Sequence, residues 1–112
     1  FANLPDDEQV DFLVSSAESV EEGSEMLDVL VSEWEDGDVN GLAALMSNPE
    51  MMGSEAIYDA LLKDRNEAWV PKIEAMLDAP GTVLIAGGAG HLAGEDSVIE
   101  LLRADGHEVE GP

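Results

Sequence analysis

The stretch VLIAGGAGHLAGEDSVIELLRADGHEVEG, residues 83–111, decides the predicted fold. With Thr82 before it, its start is an unbroken run of mostly branched side chains, which is typical of a strand buried on both faces. Glycines follow, then an apolar helical pattern over residues 98–102 that Gly106 ends, and a second extended segment at residues 108–110. The sequence therefore predicts a βαβ unit whose two strands are parallel.

The residues before this unit have helical periodicity. They predict a first helix over about residues 5–17, a second that ends near Gly37, a third capped by Asp38, and a long helix from Ser54. Pro71 is expected to kink or interrupt the long helix near residue 70. We therefore expect an α/β chain, mainly helical over residues 1–53, with the long helix and the βαβ unit in residues 54–112. The whole forms a single domain or a fragment of a larger one.

Charge and composition exclude several classes of partner. The 26 acidic residues outnumber 4 basic ones and give a formal net charge of -22, which repels phosphate backbones and anionic lipid headgroups. We expect no nucleic-acid partner, and without a long apolar run we expect no membrane insertion by this segment. The chain begins at Phe1 rather than at a methionine, so we expect that an upstream part of the same protein has been removed.

The glycine-rich loop has two interpretations. In the first, residues 88–93 satisfy the G-x-G-x-x-A form of a dinucleotide-binding fingerprint, which follows a strand and opens a helix. Glu95 and Asp96 oppose this interpretation, because they place negative charge where the pyrophosphate would bind. The second interpretation centres on Gly88 and His91, a G-x-x-H at the carboxyl end of the predicted strand, where α/β proteins place binding groups.

Arg65 interrupts the apolar stripe of the long helix. With ideal α-helical geometry it lies on the same face as Leu62 and Trp69, where an unpaired guanidinium would be costly. In one role its aliphatic stem packs against the apolar face while its guanidinium reaches the solvent. In the other role the guanidinium belongs to a functional site. The sequence leaves both roles open.

The run LLKDRNEAWVPKIEAMLDAPGTVLIAGGAGHLAGEDSVIELLRADGHEVE, residues 61–110, resembles the end of the TraB/GumN family. The resemblance is carried by an arginine-asparagine pair, a tryptophan, a lysine-isoleucine pair, a strand, G-x-x-H-L, an acidic helix start and a closing strand. The upstream helices are similar to the central helical region of that family.

The resemblance implies an α/β domain related to the Tiki proteases, which are similar to metal-dependent peptidases with two G-x-x-H motifs. It implies that His91 is a metal-binding or catalytic histidine, that Gly88 shapes its turn, and that Arg65 lines the same site. The implied cofactor is a divalent metal ion of unspecified identity, and the implied substrate is a peptide or protein. The implied location is periplasmic or secreted.

The first G-x-x-H of that pattern is absent from these 112 residues. Because a catalytic zinc site uses about three protein ligands, we expect hydrolysis only in the full-length protein and none from this chain alone. The main alternative is a non-catalytic interaction module whose docking surface is formed by Trp34, Trp69, Met46, Met51 and Met52, although such residues more often belong to a core. A dinucleotide-binding oxidoreductase fragment is the minor alternative.

Overall fold

The structure is a computed structural model that describes residues 2–20, 23–48 and 52–111. Its described part is helical, and none of its helices is long and apolar enough to cross a membrane. The helices are α1 (Asp6–Glu18), α2 (Gly23–Asp36), α3 (Val39–Met46), α4 (Glu55–Tyr58), a π-helical segment (Asp59–Lys63), α5 (Asp64–Leu77), a 3-10 helix (Ala89–His91) and α6 (Val98–Ala104).

Side-chain caps explain where several helices begin. The Asp38 carboxylate accepts a hydrogen bond of 2.9 Å from the backbone N–H of Gly41 at the start of α3. Ser54 caps α4 in the same way, and Ser97 caps α6 by accepting a 3.2 Å hydrogen bond from the backbone N–H of Glu100. Each cap satisfies a backbone donor that the first helical turn leaves free. The predicted helix starts at Asp38 and Ser54 are confirmed.

One buried apolar cluster lies between α5 and α6. Val70, Val98 and Leu102 are buried there, and partly buried side chains of both helices pack around them. Elsewhere, α2 packs on α3, α3 on the 3-10 helix, and α1 on α4. The radius of gyration of 15.9 Å exceeds the roughly 13 Å of a compact domain of this length, so much of the chain stays at the surface.

The predicted βαβ unit, and with it the α/β fold class, is wrong for the described residues. Residues 82–88 have no regular secondary structure, and Leu84 is 93% exposed. A buried strand needs a neighbouring strand for its backbone groups and a layer on each face for its side chains. Among the described residues no strand is present to pair with this segment, so the apolar run remains irregular and exposed.

The second predicted strand, residues 108–110, is also absent from the described chain. Arg103 holds this segment instead, because its guanidinium donates hydrogen bonds to the carbonyls of Val109 at 3.3 Å and Gly111 at 3.1 Å. His107 pairs with Glu74 of α5 at 2.9 Å, which fixes the turn after α6 against the long helix. These side-chain contacts replace the ladder that a parallel strand would have supplied.

Candidate functional site

The π-helical segment determines which side chains of the long helix point inward. In a π-helix the hydrogen bond spans five residues instead of four, so each π turn holds more residues than an α turn. The buried side chains Ile57 and Leu62 are five positions apart, and Asn66 and Val70 follow at α-helical spacing. This change in helical register buries Asn66 and leaves Arg65 exposed. The expectation that Arg65 lies on the inward, apolar face of the long helix is therefore wrong.

Asn66 joins the long helix to the loop that precedes α6. Only 1% of this residue is exposed, and its amide nitrogen donates a 2.8 Å hydrogen bond to the backbone carbonyl of Asp96. Its amide oxygen lies 2.7 Å from Nδ1 of His91. One buried amide therefore positions both ends of the loop that runs from His91 to Asp96.

The Asn66 contacts assign the tautomer of His91. Because the amide nitrogen of Asn66 already donates to the Asp96 carbonyl, its oxygen must be the acceptor for His91. Nδ1 of His91 must then carry the proton, and Nε2 of the neutral ring keeps its lone pair. Nε2 has no hydrogen-bond partner among the residues that the structure describes, so it is available to accept a proton or to bind a metal ion.

Trp69 brings His91 and Arg65 together. The ring centroids of Trp69 and His91 are 4.5 Å apart and their planes are tilted by 39°. The Arg65 guanidinium carbon lies 5.2 Å from the centroid of the Trp69 ring, which is the geometry of a cation-π contact. The two sequence-predicted site residues are therefore neighbours on one indole.

Burial and a nearby positive charge keep His91 neutral. Partial burial lowers the pKa of His91 below its ordinary value of 6.5, because the imidazolium loses solvation, and the Arg65 charge lowers that pKa further. Both effects favour the neutral ring with its free lone pair on Nε2 at neutral pH.

We expect His91 to titrate below pH 6.5 and the Arg65→Gln variant to raise its pKa towards that value. Arg65→Lys keeps a cation and should leave most of the shift in place. The measurement is the chemical shift of the imidazole Cε1 proton against pH. Arg103→Gln is the control, because Arg103 pairs with Glu100 instead. An equal effect from that control, or a His91 pKa at or above 6.5, would contradict the assignment.

The lowered pKa of His91 makes the stability of the folded chain depend on pH. The unfolded chain binds a proton on His91 with a pKa near 6.5, whereas the folded chain binds it more weakly. The contribution of His91 to the free energy of unfolding is therefore complete above pH 6.5 and decreases as the pH falls from 6.5 through the folded-state pKa.

Asp96 organises a second polar cluster beside the histidine. Its carboxylate accepts a 3.3 Å hydrogen bond from the Tyr58 hydroxyl and lies 3.6 Å from Nζ of Lys63. Burial and the Asp96 charge raise the pKa of Tyr58, and the Asp96 charge also raises the pKa of Lys63. Tyr58 precedes the π-helical segment and Lys63 is its last residue, so two polar contacts join this part of the long helix to the loop.

The sequence profile of the TraB/PrgY/gumN family matches residues 1–111 of this chain. The chain belongs to this family. It is similar to the proteins called "Uncharacterized protein YbaP" from Escherichia coli strain K12 and from Shigella flexneri. Each is 44% identical over 50 residues, a segment that is 45% of this chain and 18% of the relative. The matched segment thus spans less than a fifth of these relatives, and no solved structure matches the chain.

The backbone that presents His91 in this TraB/PrgY/gumN protein is a 3-10 turn and not the end of a strand. The carbonyl of Gly88 accepts a 3.0 Å hydrogen bond from the backbone N–H of His91. Gly88 has φ -70 and its missing Cβ would meet nothing within 4 Å, so the turn does not require glycine there. The dinucleotide fingerprint also lacks the preceding strand on which its geometry depends.

The residues predicted to form a docking surface lie in different surroundings. Trp34 of α2 is 66% exposed, whereas Trp69 is partly buried against His91 and the core. Met46 and Met52 line a cavity beside α3. Met51 lies outside the described residues.

Asn66 is the site residue that sequence reasoning missed. The family resemblance includes the Arg65–Asn66 pair, but only the charged member was assigned a role. The five-residue spacing of Ile57 and Leu62 was the signal that could have revealed the shift in helical register.

Proposed function

We propose that this chain supplies His91 to a metal-dependent hydrolytic centre of a TraB/GumN-like peptidase, whose remaining ligands come from a further part of the same protein. The observation that carries the proposal is the hydrogen bond between His91 Nδ1 and Asn66, which leaves the Nε2 lone pair free. Histidines that bind metals usually donate their other ring N–H to an oxygen acceptor, which fixes the tautomer and the ring orientation.

The described residues fit one ligand of such a centre and not a whole one. His91 Nε2 has the chemistry of a zinc ligand, but no group of three His, Cys, Asp or Glu side chains occurs among the described residues. When bound, a divalent metal would supply a Lewis acid and an activated water. We therefore assign hydrolysis to the full-length protein and no hydrolysis to this chain alone.

The neighbours of His91 have distinct tasks in this proposal. Asn66 orients the ring and holds the proton on Nδ1, and Trp69 covers one face of the imidazole. Arg65 keeps its exposed guanidinium beside the histidine, where it can hold a carboxylate or a developing oxyanion of a peptide substrate. A periplasmic or secreted location and a peptide or protein substrate belong to the same proposal.

The test uses the longer protein that contains this sequence, assayed on a peptide library with divalent metal and with chelator. His91→Gln should lower kcat/KM by about a hundredfold or more, because the side-chain amide can still donate to Asn66 but lacks the imidazole lone pair. His107→Gln is the matched control and should retain activity, because His107 contacts Glu74 and not the site. Activity that survives both His91→Gln and chelation would contradict the proposal, as would metal-dependent turnover by the purified 112-residue chain.

An interaction module is the second candidate, and exposed apolar side chains favour it. Leu13 of α1 is 68% exposed, and Leu27 and Trp34 of α2 are 61% and 66% exposed. Large apolar patches at a protein surface often mark contacts with another protein. In that case substitutions on α1 and α2 should weaken association of the longer protein with its partner, whereas His91→Gln should not.

A further inference from the structure

A cavity of about 520 Å³ lies between α3, the start of the long helix and the loop before α6. Its inner wall is mainly apolar: Leu62 is buried, and Met46 and Met52 are partly buried, while the partly buried Tyr58 and Asp96 add polar groups. Glu55 and Glu95 also line the cavity but are exposed, which places their carboxylates at its mouth. The cavity thus has a mainly apolar interior and an acidic entrance, and its volume is that of a small-molecule site.

The charged side chains that line the cavity are acidic in the described part of the chain. Among the residues that the structure describes, its lining contains three carboxylates, those of Glu55, Glu95 and Asp96, and no lysine, arginine or histidine. Asp96 is already paired with Lys63 and Tyr58. Neither Glu55 nor Glu95 forms an ion pair within the described ranges. Within the part of the chain that the structure describes, these two carboxylates at the mouth thus have no ion-pair partner.

Two glycines bring the loop close to α3 and form one wall. A Cβ at Gly90 would lie 2.9 Å from the terminal carbon of Met46 and 3.6 Å from Leu62. Gly94 has φ +89, which disfavours any residue with a Cβ, and a Cβ there would lie 3.3 Å from Ala43. The loop thus packs against apolar side chains at the inner wall while Glu95 stays at the mouth.

We propose that this cavity binds a small primary alkylammonium ion, with the alkyl chain against Met46, Met52 and Leu62 and the ammonium group at the mouth, where Glu55 and Glu95 supply negative charge. The apolar wall favours an alkyl chain. It disfavours a metal ion, because the ion would have to give up its hydration shell against apolar side chains. The carboxylates favour an ammonium and repel a carboxylate or phosphate. This binding does not depend on His91 or on hydrolysis, and it is measurable on the 112-residue chain.

The experiment is a titration of the isotope-labelled chain with hexylammonium, followed by NMR. We expect saturable shifts of the amides of Gly90, Ala93 and Gly94 and of the Met46 and Met52 methyl groups, with a dissociation constant of about millimolar order. Hexan-1-ol and hexanoate have the same alkyl chain without the positive charge and should shift these signals much less. Equal shifts with hexan-1-ol, or shifts that do not saturate, would overturn the proposal. These three ligands are compared on the unmodified chain.

Variants separate the site from the general attraction of an acidic protein for cations. The double variant Glu55→Gln/Glu95→Gln should bind hexylammonium about tenfold more weakly. The control Glu35→Gln/Glu110→Gln removes the same charge from exposed positions outside the cavity and should bind as the unmodified chain does. Equal weakening in both would show non-specific attraction and overturn the proposal.

A lysine side chain presents the same ammonium on the same kind of stem. Nα-acetyl-lysine N-methylamide therefore tests whether the occupant is a polypeptide. We expect it to bind more weakly than hexylammonium, because its two amides would have to reach past the carboxylates at the mouth. Tighter binding of the lysine derivative would overturn the assignment of a free alkylamine.

Discussion

Replacing Asn66 with alanine should lower the free energy of unfolding by about 3 kcal/mol. The side chain is 1% exposed and makes hydrogen bonds of 2.8 Å and 2.7 Å to the Asp96 carbonyl and to His91. Alanine leaves both partners without this amide and opens a small void in the helix packing. Urea unfolding monitored by circular dichroism measures the loss.

Asn40→Ala is the matched control for this substitution. Asn40 lies exposed on α3, so the same chemical change should alter the free energy of unfolding by less than about 0.5 kcal/mol. If Asn66→Ala were as mild as Asn40→Ala, the buried amide would not be the link between the long helix and the His91 loop.

Asn66→Asp separates the two hydrogen bonds. A carboxylate can still accept from Nδ1 of His91, but it cannot donate to the Asp96 carbonyl, and it would face that oxygen with negative charge. The variant should therefore be destabilised and should also raise the pKa of His91, because the new charge stabilises the imidazolium. A His91 pKa that stays unchanged in this variant would contradict the assigned contact.

Helix starts were predictable because their signals are local. Asp38 and Ser54 cap the helices that the sequence assigned to them, since a cap requires only its own side chain and the next three residues. Gly106 likewise follows α6 with φ +91, a conformation that glycine adopts readily. The sequence also predicts that His91 and Arg65 lie at one site. It places Arg65 on the apolar face of its helix, whereas in the structure both side chains contact the ring of Trp69.

The faces of the long helix were not predictable from an ideal α-helical period. One π-helical segment, Asp59–Lys63, changes the register of everything after it. The apolar stripe counted at α-helical spacing included position 65 and passed over Asn66. In the structure Arg65 is exposed over Trp69, and a buried asparagine occupies the inward position. A local change in helical pitch thus exchanged the roles of two adjacent residues.

The predicted strands failed because strand formation is not a local property. Residues 82–86 have the composition of a buried strand, but a strand is stable only with a neighbour that completes its hydrogen bonds. Within the described part of the chain nothing supplies that neighbour, so Val83 and Ile85 are 55% and 50% exposed. Composition identified a segment suited to a sheet, and the sheet itself depends on distant residues.

Ile57→Ala should lower the free energy of unfolding by about 4 kcal/mol, whereas Ile85→Ala should lower it by about 1 kcal/mol or less. Ile57 is 1% exposed where the long helix begins, so alanine would leave a cavity that its surroundings can close only in part. Ile85 is 50% exposed in the irregular segment before the 3-10 helix, and its truncation removes a side chain that already contacts water.

The two substitutions delete the same atoms, so the difference between them mainly measures burial, and the higher helix propensity of alanine at position 57 can only reduce it. Urea unfolding of both variants beside the unmodified chain gives this difference directly. Equal losses at the two positions would mean that residues 82–86 are as buried as the start of the long helix, and would contradict the exposure of Ile85. A loss confined to Ile57 follows if the stability of this chain comes from its helices and the apolar segment stays unpaired.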